Sequence, residues 1–173
     1  MEQIGLIYRG DVLSPEAVPW AGVCFDGAPE GIASARFFTA DFLTRVRETL
    51  AVPVSAEAVG AAQLIVSELV TNACKYAPGP CLLDLEVTGV RSGGAGGAGE
   101  SGGAGGSGRS GGGRSVEITV WDANPELPVA GSPRPDRVGR HGLEIVLALC
   151  ESFEVRREPV GKRIRVRVPL GAV

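Results

Sequence analysis

The sequence predicts an α+β fold in which two long helices accompany a sheet made of hairpins. Two adjoining segments carry apolar residues at helical spacing, and a proline follows each of them. Four later segments alternate apolar and polar residues, and they fall into two pairs that can each form a hairpin. Helices and strands that come in separate runs are typical of the α+β class. The helical segments are residues 30–50 and 55–77, and the strand segments are 81–90, 115–121, 153–158 and 163–169.

Shorter signals complete the predicted order of elements. Residues 21–25 form a short apolar run that predicts a strand before the first helix. Pro29 suits the first turn of that helix, and Ser55 is a typical N-cap for the second. A third helix is predicted from Leu143 to about Cys150, after a Gly-x-x-Gly turn.

The length of 173 residues predicts one domain, which we place at residues 21–170 after an N-terminal arm of residues 1–20. Residues 92–113 are almost only Gly, Ser and Ala and hold half of the 26 glycines. Such a segment buries too little apolar surface to order itself, so we predict a flexible insertion inside the domain. It lacks the GxxxxGK[ST] arrangement between strand and helix, which disfavours a phosphate-binding loop.

Composition excludes several classes of protein. A hydrophobic fraction of 44% and a charged fraction of 21% are ordinary for a globular domain, and a net charge of −3 argues against direct nucleic-acid binding. No apolar run is long enough for a membrane span, and the first residues do not resemble a secretory signal. The cysteines show no CxxC pairing, which predicts reduced thiols and a cytoplasmic protein. They are Cys24, Cys74, Cys81 and Cys150.

The second helix carries a polar face of unusual composition. Glu68, Asn72 and Lys75 fall opposite an apolar stripe on a helical wheel. A carboxylate and an amide oxygen four residues apart can share one hard cation or one water. This face is therefore a candidate site for magnesium and a nucleotide, and the alternative is an ordinary solvated face. The stripe consists of Ala62, Ile65, Val66, Leu69, Val70 and Ala73.

Later segments supply further groups that suit a nucleotide. Asp122 ends a strand, where a carboxylate can accept a hydrogen bond from an exocyclic amine and so favour adenine. Residues 125–140 are rich in proline and lack periodicity, which is typical of a functional lid. Gly139 and Gly142 allow close backbone approach, and the helix that starts near Leu143 offers free N–H groups to phosphate. Lys75 can neutralise a phosphate, and Tyr76 can flank the base or the ribose.

Three segments together resemble the sequence boxes of the GHKL ATPases, the group that includes the histidine kinases. Residues 68–76 (ELVTNACKY) resemble the N box, residues 122–125 (DANP) a reduced G1 box, and residues 139–143 (GRHGL) a G2 box. The short length, the missing phosphoacceptor-histidine helix and the Glu-x-x-x-Asn spacing are similar to one branch, the anti-sigma-factor serine/threonine kinases of the SpoIIAB/RsbW type. The resemblance covers about residues 21–170.

The resemblance implies a Bergerat-type ATP-binding fold, a two-layer α/β sandwich whose mixed or antiparallel sheet is covered by helices on one face. It implies that Glu68 is the general base and that Asn72 holds Mg²⁺, the roles that phosphoryl transfer needs. Asp122 would read adenine, and the residues around Gly142 would line the phosphates. The full set expected to bind ATP is Asn72, Lys75, Tyr76, Asp122, Asn124, Gly139, Arg140, His141, Gly142 and Leu143.

Two positions depart from the pattern of the family. Asn124 stands where a glycine is usual two residues after the G1 aspartate, so the loop takes a different turn, although Asn tolerates a left-handed backbone. In the last hairpin, Arg163 follows Gly161 and Lys162 where a threonine often supports that aspartate. The support of Asp122 is therefore either missing or supplied from elsewhere in the chain.

The expected function is that of an ATP-dependent and Mg²⁺-dependent kinase. The resemblance implies that the chain phosphorylates a STAS-type anti-sigma antagonist and holds a sigma factor in its ATP-bound state, and it leaves open whether the chain forms a homodimer. One alternative is a nucleotide-dependent binding module without kinase activity. Another is a detached histidine-kinase catalytic domain, which the absence of a histidine-bearing helix disfavours. His141, the only histidine, is expected to contact phosphate or solvent and not to act as a base.

A row of arginines in the last strand has two interpretations. Arg163, Arg165 and Arg167 point to the side opposite Ile164, Val166 and Val168. Such a row is typical of the solvated face of an antiparallel sheet, and it can instead dock an acidic partner.

Overall fold

A computed structural model describes residues 6–12, 18–89, 113–127 and 141–171. Three helices and six strands occur in this part of the chain. In chain order they are β1 (Leu6–Val12), β2 (Trp20–Phe25), α1 (Glu30–Leu50), α2 (Ala56–Tyr76), β3 (Cys81–Thr88), β4 (Ser115–Asp122), α3 (His141–Leu149), β5 (Ser152–Arg157) and β6 (Lys162–Pro169).

The strands form one sheet in the order β1-β2-β3-β4-β6-β5, and each neighbouring pair is antiparallel. Alternate residues of β3, β4 and β6 are fully buried on the side that α1 and α2 cover, as Leu85, Ile118 and Val166 illustrate. The helices contribute Phe42, Ile65 and other apolar residues to the same core. The predicted α+β fold, a two-layer sandwich with helices on one face, is confirmed.

Local signals at both ends of α2 explain why this helix forms where the sequence predicts it. The Ser55 hydroxyl accepts a hydrogen bond from the backbone N–H of Ala58 at 3.1 Å, which confirms the predicted N-cap. At the other end the N–H of Ala77 donates to the carbonyl of Ala73 at 2.8 Å, and Pro78 follows. The apolar stripe predicted for this helix is buried as expected.

The predicted N-terminal arm of residues 1–20 needs a correction. Leu6–Val12 form the edge strand β1, which pairs with the whole length of β2, and β2 itself begins at Trp20. The backbone N–H and C=O groups on the outer edge of β2 find their hydrogen-bond partners in β1. This pairing orders residues 6–12 although their side chains show little periodicity. Residues 1–5 and 13–17 of the predicted arm lie outside the described residues.

The glycine-rich insertion does not disturb the strands that flank it. Thr88 pairs directly with Ser115, so β3 and β4 form the predicted hairpin. Gly89 has a φ of 80°, a left-handed conformation that suits the start of the connection. Of the predicted insertion, residues 92–112 lie outside the described part of the chain.

The arginine row on the outer face of the sheet is paired within the chain. Arg165 Nε lies 3.0 Å from Glu117 Oε1, and Arg167 Nη2 lies 3.2 Å from Glu117 Oε2. The Arg163 guanidinium lies over the Trp121 ring, 4.9 Å from its centroid. These contacts favour the interpretation as a solvated sheet face.

All four cysteines are free thiols. Burial raises the pKa of Cys81 to about 12, with smaller contributions from Cys74, Cys24 and two aspartates. Such a thiol stays protonated at neutral pH and acts as a small apolar side chain. Within the described ranges, no helix combines the length and the apolarity that crossing a membrane requires.

Candidate functional site

The polar face of α2 forms one side of the candidate site. Glu68, Asn72 and Tyr76 follow one another at intervals of four residues, so they share a face of the helix. Glu68 and Asn72 are half-buried, whereas Lys75 and Tyr76 are exposed. Because a helix rises 1.5 Å per residue, the face extends over about 12 Å from Glu68 to Tyr76. Each end of this face contacts a different part of the chain.

At one end, Glu68 packs against the first turn of α3. A Cβ atom built on Gly142 would overlap Glu68 Oε2, so the glycine is what allows the carboxylate to lie there. The helix begins at His141 and not near Leu143 as predicted, which places Gly142 and Leu143 inside its first turn. The N–H groups of a first turn have no acceptor within the helix and are available to an anion.

The structure therefore brings together three of the predicted residues at this end, namely Glu68, Gly142 and Leu143. Gly142 was predicted to let the backbone approach phosphate. In the structure the Glu68 carboxylate occupies the space that a side chain at Gly142 would fill. Gly139, Arg140 and the side chain of His141 lie outside the described residues, as does the greater part of the predicted lid.

At the other end, the predicted adenine-reading carboxylate forms a buried ion pair. Lys162 Nζ donates to Asp122 Oδ1 at 2.8 Å, and the two side chains are only 8% and 3% exposed. The pair follows from the register of β4 and β6, in which Asp122 lies opposite Lys162. Lys162 also donates to the carbonyl of Asn124 at 3.0 Å. Support for Asp122 thus comes from the lysine before Arg163.

Asn124 ties the loop after β4 to the end of α2. Its side-chain Nδ2 donates to the carbonyl of Tyr76 at 2.9 Å, and its Oδ1 accepts from the N–H of Glu126 at 2.9 Å. Its own N–H donates to Asp122 Oδ1 at 2.9 Å. Among the described non-glycine residues only Ala51 has a positive φ, so Asn124 does not use the left-handed backbone that the sequence suggested. It replaces the usual glycine by acting as a side-chain connector.

Gly161 lets the last hairpin reach this loop. It has a φ of 80°, and a Cβ atom there would overlap the carbonyl oxygen of Asp122 and crowd Ala123. The close approach is required because Lys162, the next residue, must reach Asp122. Gly161 and Lys162 thus act together, the first by its missing side chain and the second by its charge.

The sequence-family model of the histidine kinase-like ATPase domain matches residues 27–168. This range covers more than half of the chain and includes α1 to α3 and four of the six strands wholly or almost wholly, with β1 and β2 outside it. The chain therefore belongs to the family of histidine kinase-like ATPase domains. No curated protein matched the sequence.

Membership of this family implies ATP binding, and the described residues fit such a ligand. The end at Asp122 offers a buried carboxylate beside the buried ammonium of Lys162, and the end at Glu68 offers the first-turn N–H groups of α3. Within the described ranges, no group of three or more His, Cys, Asp and Glu side chains is arranged to hold a metal ion. Asn72 lies between the two ends, and its role toward Mg²⁺ stays a prediction.

Lys162 is the site residue that sequence reasoning missed. One signal for it exists, because Lys162 is in phase with Ile164, Val166 and Val168, the buried side of β6. A lysine in phase with a buried stripe needs an acidic partner, and Asp122 at the end of the neighbouring strand is that partner.

Proposed function

We propose that this chain is an ATP-binding anti-sigma regulatory protein with serine/threonine kinase activity toward a STAS-type antagonist. The observation that carries the proposal is the contact between Glu68 and the first turn of α3, where a carboxylate lies beside N–H groups suited to phosphate. A helix end of that kind would attract anions, and a base placed beside it is close to a bound phosphoryl group. The resemblance to the anti-sigma-factor kinases supports the choice of substrate.

Each residue has a defined part in this proposal. Glu68 accepts the proton of the substrate hydroxyl, and Asn72, one helical turn away, offers its amide oxygen to Mg²⁺. Asp122 accepts from the exocyclic amine of adenine in a loop that Asn124 and Lys162 hold in place. ATP supplies the phosphoryl group. In the cytoplasm the ATP-bound protein, as a monomer or a homodimer, would hold a sigma factor until the antagonist binds.

The test separates binding from phosphoryl transfer. ATP binding is measured by titration calorimetry, and transfer of labelled phosphate to a STAS-domain protein from the same genome is measured for wild type and Glu68→Gln. Glu68→Gln should keep ATP binding within a few-fold and lower transfer by about 10²–10⁴-fold, the usual value of a general base. Glu57→Gln, in the exposed first turn of the same helix, is the matched control and should leave both unchanged.

The outcomes separate the candidate functions. If wild type binds no adenine nucleotide, the kinase and the nucleotide-dependent binding module both fail. If wild type binds ATP and a sigma factor but labels none of the STAS proteins, the binding module replaces the kinase. If transfer survives Glu68→Gln, the chain is a kinase and another residue is the base.

A further inference from the structure

Beyond the predicted adenine contact, the Asp122–Lys162 pair has hydrogen-bonding capacity that the described residues do not use. An ammonium has three N–H donors, and Lys162 uses one for Asp122 Oδ1 and one for the carbonyl of Asn124. A carboxylate has two oxygens, and both bonds that the described residues make to Asp122 go to Oδ1. One donor and one acceptor therefore remain next to each other.

Burial makes this unused capacity significant. The two side chains are only 8% and 3% exposed, so few water molecules can reach them, and a hydrogen bond that a ligand makes there is weakened little by solvent. Both residues lie on the helix-covered side of the sheet, at the end where Asn124 joins β4 to the last residue of α2. A ligand in the proposed nucleotide site would meet a donor and an acceptor side by side.

Adenine has the complementary pair of groups. Its exocyclic amine is a donor, and each ring nitrogen beside the amine, N1 on one edge and N7 on the other, is an acceptor. We propose that Lys162 is a base-reading residue, which donates to the ring nitrogen beside the amine while Asp122 Oδ2 accepts from the amine itself. This rests on the proposed ATP site and adds a specificity determinant to it.

A purely structural pair is the competing explanation. Lys162 would then only neutralise Asp122 and hold Asn124, and its loss would weaken every adenine nucleotide equally. If Lys162 reads the base, its loss should weaken only those nucleotides that carry the adenine ring nitrogen to which it donates. A double-mutant cycle in which one change is in the ligand isolates that coupling.

The experiment measures the dissociation constants of ATP, 1-deaza-ATP and 7-deaza-ATP by titration calorimetry for the full chain. The proteins are wild type, Lys162→Met and Arg163→Met. Methionine keeps an unbranched chain and removes the charge. Arg163 is the matched control because it is the next residue of β6, carries the same charge and faces Trp121 on the opposite side of the sheet.

For wild type and for Arg163→Met, one of the two deaza analogues should bind about tenfold to a hundredfold more weakly than ATP, as expected for a hydrogen bond from a charged donor. For Lys162→Met that difference should vanish, so that the analogue and ATP bind equally.

Three results would overturn the proposal. If wild type binds both analogues as tightly as ATP, no protein donor reads the ring nitrogens, and this result does not depend on the folding of any variant. If the difference persists in Lys162→Met, another group reads the base. If Lys162→Met binds ATP more tightly than wild type does, Lys162 blocks the base site. In each case ATP still binds, so the proposed function stands; only a wild type that binds no adenine nucleotide removes both.

Discussion

At the scale of single residues, Asp84 is a carboxyl group whose charged form is disfavoured by burial. It lies on the outer face of β3, beside Gly22 and near the ring of Trp20. Burial raises the pKa of Asp84, and Glu86 raises it further. The indole N–H of Trp121 approaches without reaching ordinary hydrogen-bond geometry and offsets part of this rise. Compared with the unfolded chain, the folded chain therefore favours the protonated form of this carboxyl.

Replacement of Asp84 by Asn should stabilise the fold at pH 7. A raised pKa in the folded state means that stability is fully present below the unfolded value, ordinarily about 3.8, and is lost as pH rises through the folded value. Asn removes this loss, but the site is partly solvated, so the gain should stay below about 1.4 kcal/mol, the equivalent of one pKa unit. Urea unfolding of both proteins measures it. At pH 3 the two should differ little, and an equal gain at pH 3 and pH 7 would contradict the explanation.

Gly142 and Glu68 should be energetically coupled. Gly142→Ala places a methyl group where Glu68 Oε2 lies, so the carboxylate must move. In a Glu68→Ala background the space is free, and Gly142→Ala should then stabilise the helix by about 0.5–1 kcal/mol through the lower backbone entropy of the unfolded chain. In wild type that gain should be smaller or reversed. Thermal unfolding of the four proteins gives the coupling, and strictly additive effects would show that the two residues do not meet.

At the scale of elements, α2 was predictable because its signals are local. Ser55, the apolar stripe and Pro78 all lie within one stretch of sequence and point to the same helix. β1 was missed because its order depends on pairing with β2, which side-chain periodicity does not report. The Asp122–Lys162 pair was missed for a related reason. It depends on the register between β4 and β6, two strands 40 residues apart at that point.

Gly60 lowers the stability of the helix α2. Gly60 is exposed in the interior of the helix, and a Cβ atom there would meet no atom within 4 Å. Gly60→Ala should therefore raise the free energy of unfolding by about 0.5–1 kcal/mol, the difference in helix propensity. Urea unfolding followed by circular dichroism measures it.

Gly161→Ala is the matched contrast to Gly60→Ala. Its φ of 80° costs an L-residue about 1–2 kcal/mol, and its Cβ would overlap the backbone of Asp122. The same substitution should therefore stabilise one element and destabilise another. A stabilising effect at Gly161 would show that the hairpin does not approach the loop as closely as described.

At the scale of the whole molecule, α2 connects the two ends of the candidate site. Its residue Glu68 touches α3, and the carbonyl of Tyr76 holds the loop that follows β4. The long insertion joins the ends of β3 and β4 that lie away from Asp122. Thr88 and Ser115, which flank the insertion, lie six residues or more along β3 and β4 from the Asp122 end.

Deletion of residues 93–112 should therefore stabilise the fold and leave nucleotide binding unchanged. It shortens the connection between Thr88 and Ser115 from 26 residues to six while keeping Gly89 and Gly113. Each doubling of loop length costs about 0.6 kcal/mol, so a fourfold shortening should raise the free energy of unfolding by about 1.2 kcal/mol. Urea unfolding measures this gain, and titration with ATP measures binding. An exchange of the same segment for a scrambled Gly/Ser/Ala sequence of equal length controls for composition and should change neither quantity. A loss of ATP affinity in the deletion but not in the scrambled chain would show that the length of the insertion matters to the site.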